Sequence, residues 1–415
     1  MPFRRSFVGM APAAGRLTEV LLKETGYGTM AGRGEGDGAM RMKPLTEFCT
    51  LSMGQSPDSK TYNTQKKGLP FYQGNADFGR MHPVARVWCS APVKTAECGD
   101  ILLSVRAPIG AMNIAAERCC IGRGLAALRP NPNACHQTYL YYAVQSRVEL
   151  LIARGTGSTF KAISKKVLEE TQIPAYSVAE QGKIALKMTH IDRAIAIRQN
   201  QLRLFDQLVK SRFFEMFGDI AVNPFHWEKE LLGEVCDVRD GTHDAPRYCE
   251  SGFPLVTSKN VTGGKISLID CPLISETDYN KINERSKVDR GDIIMPMIGT
   301  VGKPVMVDVE PNFAIKNVSL IKFKSNSRVV NRYIHALLQS DYFDGAVLSK
   351  VRGGTQKFIS LGDIRKLLIP VPPLERQRQF AAFARAAGQS KSAVQKSLAR
   401  LETLKNVLMQ EFFPQ

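Results

Sequence analysis

One short segment carries residues of the kind that bind phosphate. Residues 299–304 read GTVGKP, with two glycines ahead of a lysine. A phosphate-binding loop needs a further glycine at its start and a serine or threonine after the lysine, where the hydroxyl binds magnesium. This segment lacks the leading glycine and has Pro304 at the hydroxyl position. The sequence therefore does not predict a nucleotide site here.

Other reactive residue types are present, but none stands in a complete catalytic pattern. Residues 223–226 read NPFH, which lacks the second proline of the NPP-aromatic motif of amino-methyltransferases and follows a predicted helix end. Asp58 and Lys60 have no accompanying carboxylates of the kind a metal-dependent nuclease needs. The six histidines are dispersed, and the nine cysteines never take the CxxC spacing of a zinc site. We predict no catalytic residue, no metal site and no cofactor of its own.

Charge points to the class of partner. The 415 residues include 56 Lys and Arg against 39 Asp and Glu, which gives a net charge of +17 and a pI near 9.5. Such an excess favours a polyanionic partner, most often nucleic acid, although a solvated basic surface is an equal alternative. No apolar run approaches the ~18 residues of a membrane span, so no membrane contact is expected. The odd number of scattered cysteines predicts reduced thiols in the cytoplasm.

Two long helices must position whatever binds. Residues 173–217 correspond without a gap to residues 369–413, and both begin with Ile-Pro and continue with an apolar residue every three or four positions. A spacing that averages 3.5 keeps one seam of a helix against a neighbouring helix, as in a coiled coil. The first helix is predicted over residues 178–217, roughly 60 Å long at ~1.5 Å per residue. The first seam is Ile184, Met188, Ile191, Ile195, Arg198, Leu202, Phe205 and Val209, and the second is Phe380, Ala384, Ala387, Lys391, Val394, Leu398, Leu401, Lys405 and Leu408.

A globular segment precedes each helix, and the two segments repeat one order of motifs. In the first, strands are predicted at residues 69–72, 86–89, 101–105 and 125–128, with a helix over residues 137–153. The sequence GLPF at residues 68–71 corresponds to GFPL at residues 252–255. The shared positions are turn glycines and apolar residues, whereas the loops between them differ. A common scaffold with divergent loops suits two readers of different targets.

The doubled order resembles the specificity (S) subunit of type I restriction-modification systems. The residues that carry the resemblance are GDIL at 99–102, GDII at 291–294, RGGTQ at 352–356 and IPVPPLERQ at 369–377. The resemblance covers residues 43–415. It implies an α+β chain with two pseudo-repeated mixed α/β target recognition domains, separated by two long conserved helices that pack as an antiparallel coiled coil.

The resemblance also implies a non-catalytic subunit and its partners. Each target recognition domain would read one half of a bipartite site in double-stranded DNA. The helices would carry two methyltransferase (M) subunits, which use S-adenosylmethionine, and the complex would include ATP-dependent restriction (R) subunits. The alternatives are a stand-alone DNA-processing enzyme, which would need a complete cofactor or metal motif, and a coiled-coil adaptor that does not bind DNA. The repeated globular segments and the basic charge disfavour the adaptor.

The domain boundaries follow from the repeat. We predict a flexible N-terminal extension at residues 1–42, where Met42 is the alternative start. The remaining domains are target recognition domain 1 at 43–177, the central helix at 178–217, a linker at 218–229, target recognition domain 2 at 230–373 and the C-terminal helix at 374–415. Domain 1 has 16 basic and 9 acidic residues, a balance of +7, and domain 2 has 19 and 17, a balance of +2.

Candidate base-reading residues lie in the loops of both domains. Arginine and lysine match the hydrogen-bonding edge of guanine, and asparagine and glutamine match that of adenine. For any single residue, a solvated loop side chain is the alternative interpretation. The candidates are Tyr72, Gln73, Asn75, Arg80, Arg154, Thr156 and Ser158 in domain 1, and Thr257, Ser258, Lys259, Asn260, Arg352, Thr355, Gln356 and Lys357 in domain 2.

Overall fold

The structure, a computed structural model, describes residues 40–156, 161–244, 246–298, 302–324, 326–347 and 358–414. The described residues pack into two compact units. The first unit contains those up to Gln199 together with those from Lys396 onward, and the second contains those from Asn200 to Gln395. Each of the two long helices therefore contributes one part to each unit.

The first unit combines three sheets with short helices. Its strands are β1 (Met42–Pro44), β2 (Cys49–Met53), β3 (Tyr62–Asn63), β4 (Leu69–Tyr72), β5 (Trp88–Cys89), β6 (Thr95–Ala96), β7 (Ile101–Ser104), β8 (Met112–Ile114), β9 (Cys119–Ile121), β10 (Leu125–Pro130) and β11 (Gln172–Pro174). Its helices are α1 (Gln137–Gln145), α2 (Val148–Arg154), α3 (Lys165–Glu169) and the start of α4 (Val178–Phe217). The sheet orders are β1-β11, β2-β10-β7-β8 and β3-β5-β4-β9-β6.

The second unit repeats this plan. Its strands are β12 (Lys229–Leu231), β13 (Asp237–Asp240), β14 (Tyr248–Cys249), β15 (Phe253–Val256), β16 (Val261–Thr262), β17 (Lys265–Ile266), β18 (Leu273–Ile274), β19 (Ile293–Pro296), β20 (Val305–Met306), β21 (Ala314–Ile315), β22 (Val318–Lys322) and β23 (Leu368–Pro370). Its helices are α5 (Leu232–Val235), α6 (Glu276–Ser286), α7 (Asn331–Leu337), α8 (Asp341–Ala346), α9 (Leu361–Arg365) and the start of α10 (Leu374–Phe412). The sheet orders are β12-β23, β13-β22-β19-β20, β14-β18-β15-β21 and β16-β17.

The four-stranded sheet that contains β7 or β19 is covered on both faces. Ile101 and Leu103 of β7 lie in the core shared with the helices, whereas Leu102 lies in the core shared with the second sheet. In β19, Ile293 likewise lies in the core shared with the helices, and Ile294 lies in the core on the other face of the sheet. Successive side chains of a strand point to opposite faces, so a continuous apolar run fits a strand buried on both sides. The α+β class and the duplicated mixed architecture predicted from the sequence are confirmed.

Two local predictions need correction. The strand expected at residues 86–89 is confined to Trp88–Cys89, and the helix expected over residues 137–153 is divided into α1 and α2. Ser146 Oγ donates to the carbonyl of Ala143, and Arg147 has φ −98° and ψ 1°. The Arg147 guanidinium turns inward and donates to the carbonyls of Gln172 (2.9 Å) and Pro414 (2.7 Å). This inward side chain accompanies the break between the two helices.

A buried glutamine near the start of each long helix attaches the helix to its unit. Gln181 is 0% exposed, and its Oε1 accepts from the amide of His136 at 2.9 Å. Its Nε2 donates to the carbonyls of Ala134 (3.1 Å) and Tyr176 (2.9 Å). Gln377 is also 0% exposed and makes the equivalent contacts in the second unit, one from a backbone amide and two to backbone carbonyls. The repeated glutamines are therefore structural.

The two long helices run antiparallel within each unit, as predicted, because contacts further along α4 involve residues nearer the start of α10. These contacts are Lys187–Phe412 and Asp192–Lys405 in the first unit, and Asp206–Lys391 and Arg212–Phe383 in the second. In the first unit, Lys405 of α10 pairs with Asp192 of α4 at 2.7 Å, and Asp192 also accepts from the buried Tyr142 hydroxyl at 2.7 Å. In the second unit, Lys391 of α10 pairs with Asp206 of α4. The polar interruptions of the second seam thus find acidic partners on the facing helix.

Candidate nucleic-acid interface

Three strand ends meet at one edge of the first unit. The amide of Gln55, just after β2, donates to the carbonyl of Ile121 at the end of β9 (3.0 Å). The amide of Gly122, just after β9, donates to the carbonyl of Tyr72 at the end of β4 (2.8 Å). Because β4 and β9 are parallel neighbours, the loops that follow them leave the sheet side by side. We call this edge, with its loops at residues 54–58, 73–77 and 122–124, the first loop edge.

The turn between β9 and β10 packs closely against the neighbouring loop of the first loop edge. The amide of Leu125 donates to the carbonyl of Gly122 at 3.0 Å and closes the turn. A Cβ at Gly124 would lie 2.4 Å from the carbonyl oxygen of Gln73, so a side chain there would clash with the neighbouring loop. Arg123 stands exposed between the two glycines, and its amide donates to Ser56 Oγ at 3.3 Å.

The second predicted loop of domain 1 adjoins the same edge. The amide of Val105 donates to the carbonyl of Gly124, and the amide of Ile163 donates to the carbonyl of Val105, both at 2.9 Å. Thr156 and Ala162 exchange two backbone hydrogen bonds, at 3.0 and 2.8 Å. The loop around Thr156 is therefore tied through Val105 to the turn that carries Arg123. The sequence predicted the two loops separately, and the fold brings them together.

Basic side chains dominate this assembled edge. Arg106, Arg123, Arg154 and Lys161 are exposed, and none of them forms an ion pair with another residue in the described ranges. Unpaired cations at a loop edge suit the phosphates of a nucleic acid, whose affinity they supply in a salt-dependent way.

The second unit builds the same edge from different residues. The amide of Thr242, after β13, donates to the carbonyl of Ile315 at 3.0 Å, and the amide of Lys316, after β21, donates to that of Val256 at 2.9 Å. The β21–β22 turn is Lys316-Asn317, with Asn317 at φ 54°. Ser258 Oγ donates to the Asn317 carbonyl at 3.4 Å. We call this edge, with its loops at residues 241–244, 257–260 and 316–317, the second loop edge.

A histidine fixes the second loop edge. His243 Nε2 lies 2.8 Å from Asp240 Oδ2, and its Nδ1 lies 3.0 Å from Asn317 Oδ1. Arg285 also pairs with Asp240. Burial raises the pKa of Asp240, but the hydrogen bond from His243 and the charge of Arg285 outweigh burial, so this pKa lies below its ordinary value. The ionised Asp240 therefore anchors the loop after β13.

The structure places the candidate readers in different environments. Tyr72 is 4% exposed and packs in the core, where burial raises its pKa to about 12. Asn260 is 9% exposed, and its Oδ1 accepts from the amide and hydroxyl of Thr257. These two side chains support their loops from inside the protein and are not available to DNA in this conformation. Gln73, Arg80, Arg154, Thr156 and Lys259 are exposed, and Asn75, Thr257 and Ser258 are half-buried. Ser158, Arg352, Thr355, Gln356 and Lys357 lie outside the described residues.

Several residues at the two loop edges were not among the candidate base-reading residues predicted from the sequence. Gln55, Arg106, Arg123 and His243 belong to loops that become neighbours only through the sheets. One signal was available, because the GRG sequence at residues 122–124 stands between two apolar strands and is typical of a tight turn. Within the described ranges, the structure contains no group of His, Cys, Asp and Glu side chains that could hold a metal ion. It also contains no helix long and apolar enough to cross a membrane, over the same ranges.

Comparison with known proteins identifies the family. The description "Type I restriction modification DNA specificity domain" matches residues 39–204 and again residues 224–402. A putative type I restriction enzyme MjaX specificity subunit from Methanocaldococcus jannaschii is 38% identical over 167 residues, 40% of this chain and 39% of that protein. The EcoBI specificity subunit from Escherichia coli is 19% identical over 89% of this chain and 84% of its own.

Solved structures add evidence on the fold. A type I restriction-modification S subunit from M. genitalium has a TM-score of 0.60 at 18% identity, and the similarity covers 92% of this chain and 98% of that one. At this identity the similarity concerns the fold alone. Both globular segments match the family description, and both are built on one architecture, so the chain belongs to the family of type I restriction-modification DNA specificity subunits, the non-catalytic members of these systems.

Proposed function

We propose that this chain binds a bipartite double-stranded DNA site, with one half-site at each loop edge. The observation that carries the proposal is the repetition of one edge with different side chains. Both edges are formed by the ends of three equivalent strands, joined by equivalent backbone hydrogen bonds. The first edge presents Arg123 and Gln73, and the second presents Lys259 and His243. One scaffold with two sets of polar side chains suits the reading of two different sequences.

The charge distribution supports phosphate contact at the same edges. The first loop edge carries Arg106, Arg154 and Lys161 beside the polar residues, and these three cations form no ion pair within the described ranges. Phosphate contacts supply affinity and position the protein, while contacts to base edges select the sequence. We assign these three cations to phosphates.

We further propose that the long helices carry methyltransferase subunits, two per chain, and that restriction subunits join the complex. Helix α4 exposes large apolar side chains in both of its parts. Leu186 and Ile197 are 58% and 50% exposed, and Phe214 is 63% exposed. Apolar residues along an exposed helix favour contact with another protein. S-adenosylmethionine and ATP would then be cofactors of these partners.

An exchange of domains tests the two-reader proposal. Residues 43–177 are replaced by the matching segment of a related specificity subunit, and the hybrid is assembled with its methyltransferase subunit. We expect methylation mapping to show one changed half-site and one retained half-site. The reciprocal exchange of residues 230–373 is the matched control and should change the other half-site. A hybrid with both half-sites altered contradicts two independent readers, and an assembled wild-type complex that selects no DNA sequence supports the adaptor alternative.

A further inference from the structure

The turn at residues 122–124 holds one arginine in a restricted position. Gly122 and Gly124 lie on either side of Arg123. A Cβ at Gly124 would lie 2.4 Å from the Gln73 carbonyl oxygen, and a Cβ at Gly122 would lie 3.1 Å from Gln73 Cα. The Arg123 amide is held by Ser56 Oγ. A backbone fixed on both sides loses little further entropy when its side chain binds a ligand. Arg123 is therefore presented on a rigid support at the first loop edge.

Among the described residues, the Arg123 guanidinium is also free of acidic partners. It makes no ion pair with a carboxylate in the described part of the chain. The nearby Asp58 already accepts from the amide of Lys60 at 3.0 Å, as the cap of a short helix at residues 59–61. An unpaired arginine can offer two parallel N–H donors to the O6 and N7 atoms of guanine.

The neighbouring cations have different settings. Arg154 is the last residue of α2, and Lys161 lies in the segment after the second loop. In the described part of the chain, neither stands in a turn closed by glycines against another loop. Lysine can also donate to guanine, but its ammonium acts as a point charge on a flexible stem and lacks the rigid planar pair of donors of arginine. Arg123 combines a guanidinium that matches guanine with a backbone fixed by a neighbouring loop, and both features suit a base contact.

The corresponding turn of the second unit, which the structure describes in full, has no equivalent of Arg123. This turn between β21 and β22 contains Lys316 and Asn317, one residue fewer than the three of the first unit. The Asn317 side chain is already in contact with His243. The guanidinium is therefore a feature of the first loop edge alone among the described residues of the two turns.

We propose that Arg123 is a specificity-determining residue that selects a guanine in the half-site bound by the first unit. This assignment rests on the proposed function, since it requires the first loop edge to contact DNA bases. It names one residue that reads the half-site of the first unit and the base that this residue selects. Gln73 lies directly beside the turn and would contact the neighbouring base pair.

The test compares Arg123→Lys with Arg123→Ala in the full chain, assembled with its methyltransferase subunits. The probe is a library of random-sequence DNA duplexes, from which bound sequences are selected and counted. Arg123→Lys keeps the charge and loses the paired donors. We expect the preference for guanine at one position to fall roughly 10- to 100-fold, while the other positions keep their preferences. The slope of log K against log salt should stay unchanged for this variant.

Arg118→Lys is the matched control. Arg118 is exposed at the start of β9, the opposite end of the same strand, and it pairs with Glu97 at 3.2 Å. We expect its selected sequences to equal those of the wild type. Retention of the wild-type unfolding midpoint by each Arg123 variant shows that the fold is intact.

Three outcomes overturn the assignment. Unchanged base preferences in Arg123→Lys and Arg123→Ala show that Arg123 does not read the site. Equal weakening of all sequences by Arg123→Ala, with a salt slope reduced by about 1, shows a phosphate contact instead. A wild-type complex with no preferred sequence overturns both this inference and the proposed function, whereas a wild-type complex with a two-part site and insensitive Arg123 variants overturns the inference alone.

Discussion

The buried glutamines of the long helices provide a sharp test of how each unit is held together. Gln181→Ala removes the side chain that joins α4 to the segment before α1, and Gln377→Ala makes the equivalent change in the second unit. Gln199→Ala is the matched control, because Gln199 is an exposed residue of the same helix, α4. The replacement of an exposed glutamine by alanine in a helix changes stability little.

The expected loss follows from the contacts of Gln181. Three hydrogen bonds disappear, and a typical intramolecular hydrogen bond contributes about 1 kcal/mol to stability. The site is 0% exposed, so truncation also leaves a cavity that costs about 1 kcal/mol. We expect a decrease of about 3–4 kcal/mol in the free energy of unfolding of the first unit. With a urea dependence of about 2–3 kcal/mol per M, the unfolding midpoint should shift by about 1–2 M.

The two tryptophans allow each unit to be followed separately. Trp88 lies in β5 of the first unit, and Trp227 packs against Phe217 and Phe225 in the second. A Trp227→Phe background leaves fluorescence from the first unit, and a Trp88→Phe background leaves fluorescence from the second. Gln181→Ala should shift the Trp88 transition and leave the Trp227 transition in place, with the reverse for Gln377→Ala.

Two results would refute this reasoning. A midpoint shift for Gln181→Ala no larger than that of Gln199→Ala would mean that the three hydrogen bonds contribute no net stability. Equal shifts of both tryptophan transitions would mean that the units unfold as one cooperative structure, so that neither glutamine acts on its own unit alone.

Three further predictions concern charge and backbone. Asp192→Ala should destabilise the first unit by about 2–3 kcal/mol in urea unfolding, because it removes the acceptor of the buried Tyr142 hydroxyl and the ion-pair partner of Lys405. Asp206→Ala removes one exposed ion pair, so it should cost at most about 1 kcal/mol. Equal losses of stability in the two variants would contradict this difference. Gly182→Ala should raise the stability of the first unit by about 0.5–1 kcal/mol, since a Cβ there meets nothing within 4 Å in a helix; a lower midpoint would be inconsistent with that space. The lowered pKa of Asp240 means that its stabilising interaction with His243 is complete above about pH 4 and is lost as the pH falls through the lower folded value. Asp240→Asn should therefore make the stability of the second unit less dependent on pH below about pH 4, as measured by urea midpoints, and an unchanged acid dependence would exclude this role.

Much of the architecture was predictable from local patterns. The repeat of Ile-Pro followed by apolar residues every three or four positions indicates two long helices, because a helical seam needs that spacing whatever surrounds it. Apolar runs such as residues 101–104 and 293–296 indicate strands buried on both faces. Both patterns depend only on residues close together in the sequence, and so they can be recognised from the sequence alone. The division of the chain into domains at residues 177 and 373 stays a prediction.

The composition of the candidate interface was decided by the tertiary structure. Strand β4 pairs with β9, and Tyr72 and Ile121 at their ends are about fifty residues apart in the chain. That pairing places Gln73 beside Arg123, and the link through Val105 adds the loop of Thr156. The same packing buries Tyr72. The pattern of residues in the sequence does not show whether this side chain is buried or exposed to DNA. The order of strands in these sheets differs from their order in the sequence, and it is determined by side-chain packing in the two hydrophobic cores. That packing joins residues that are distant in the sequence, so local residue spacing does not predict it.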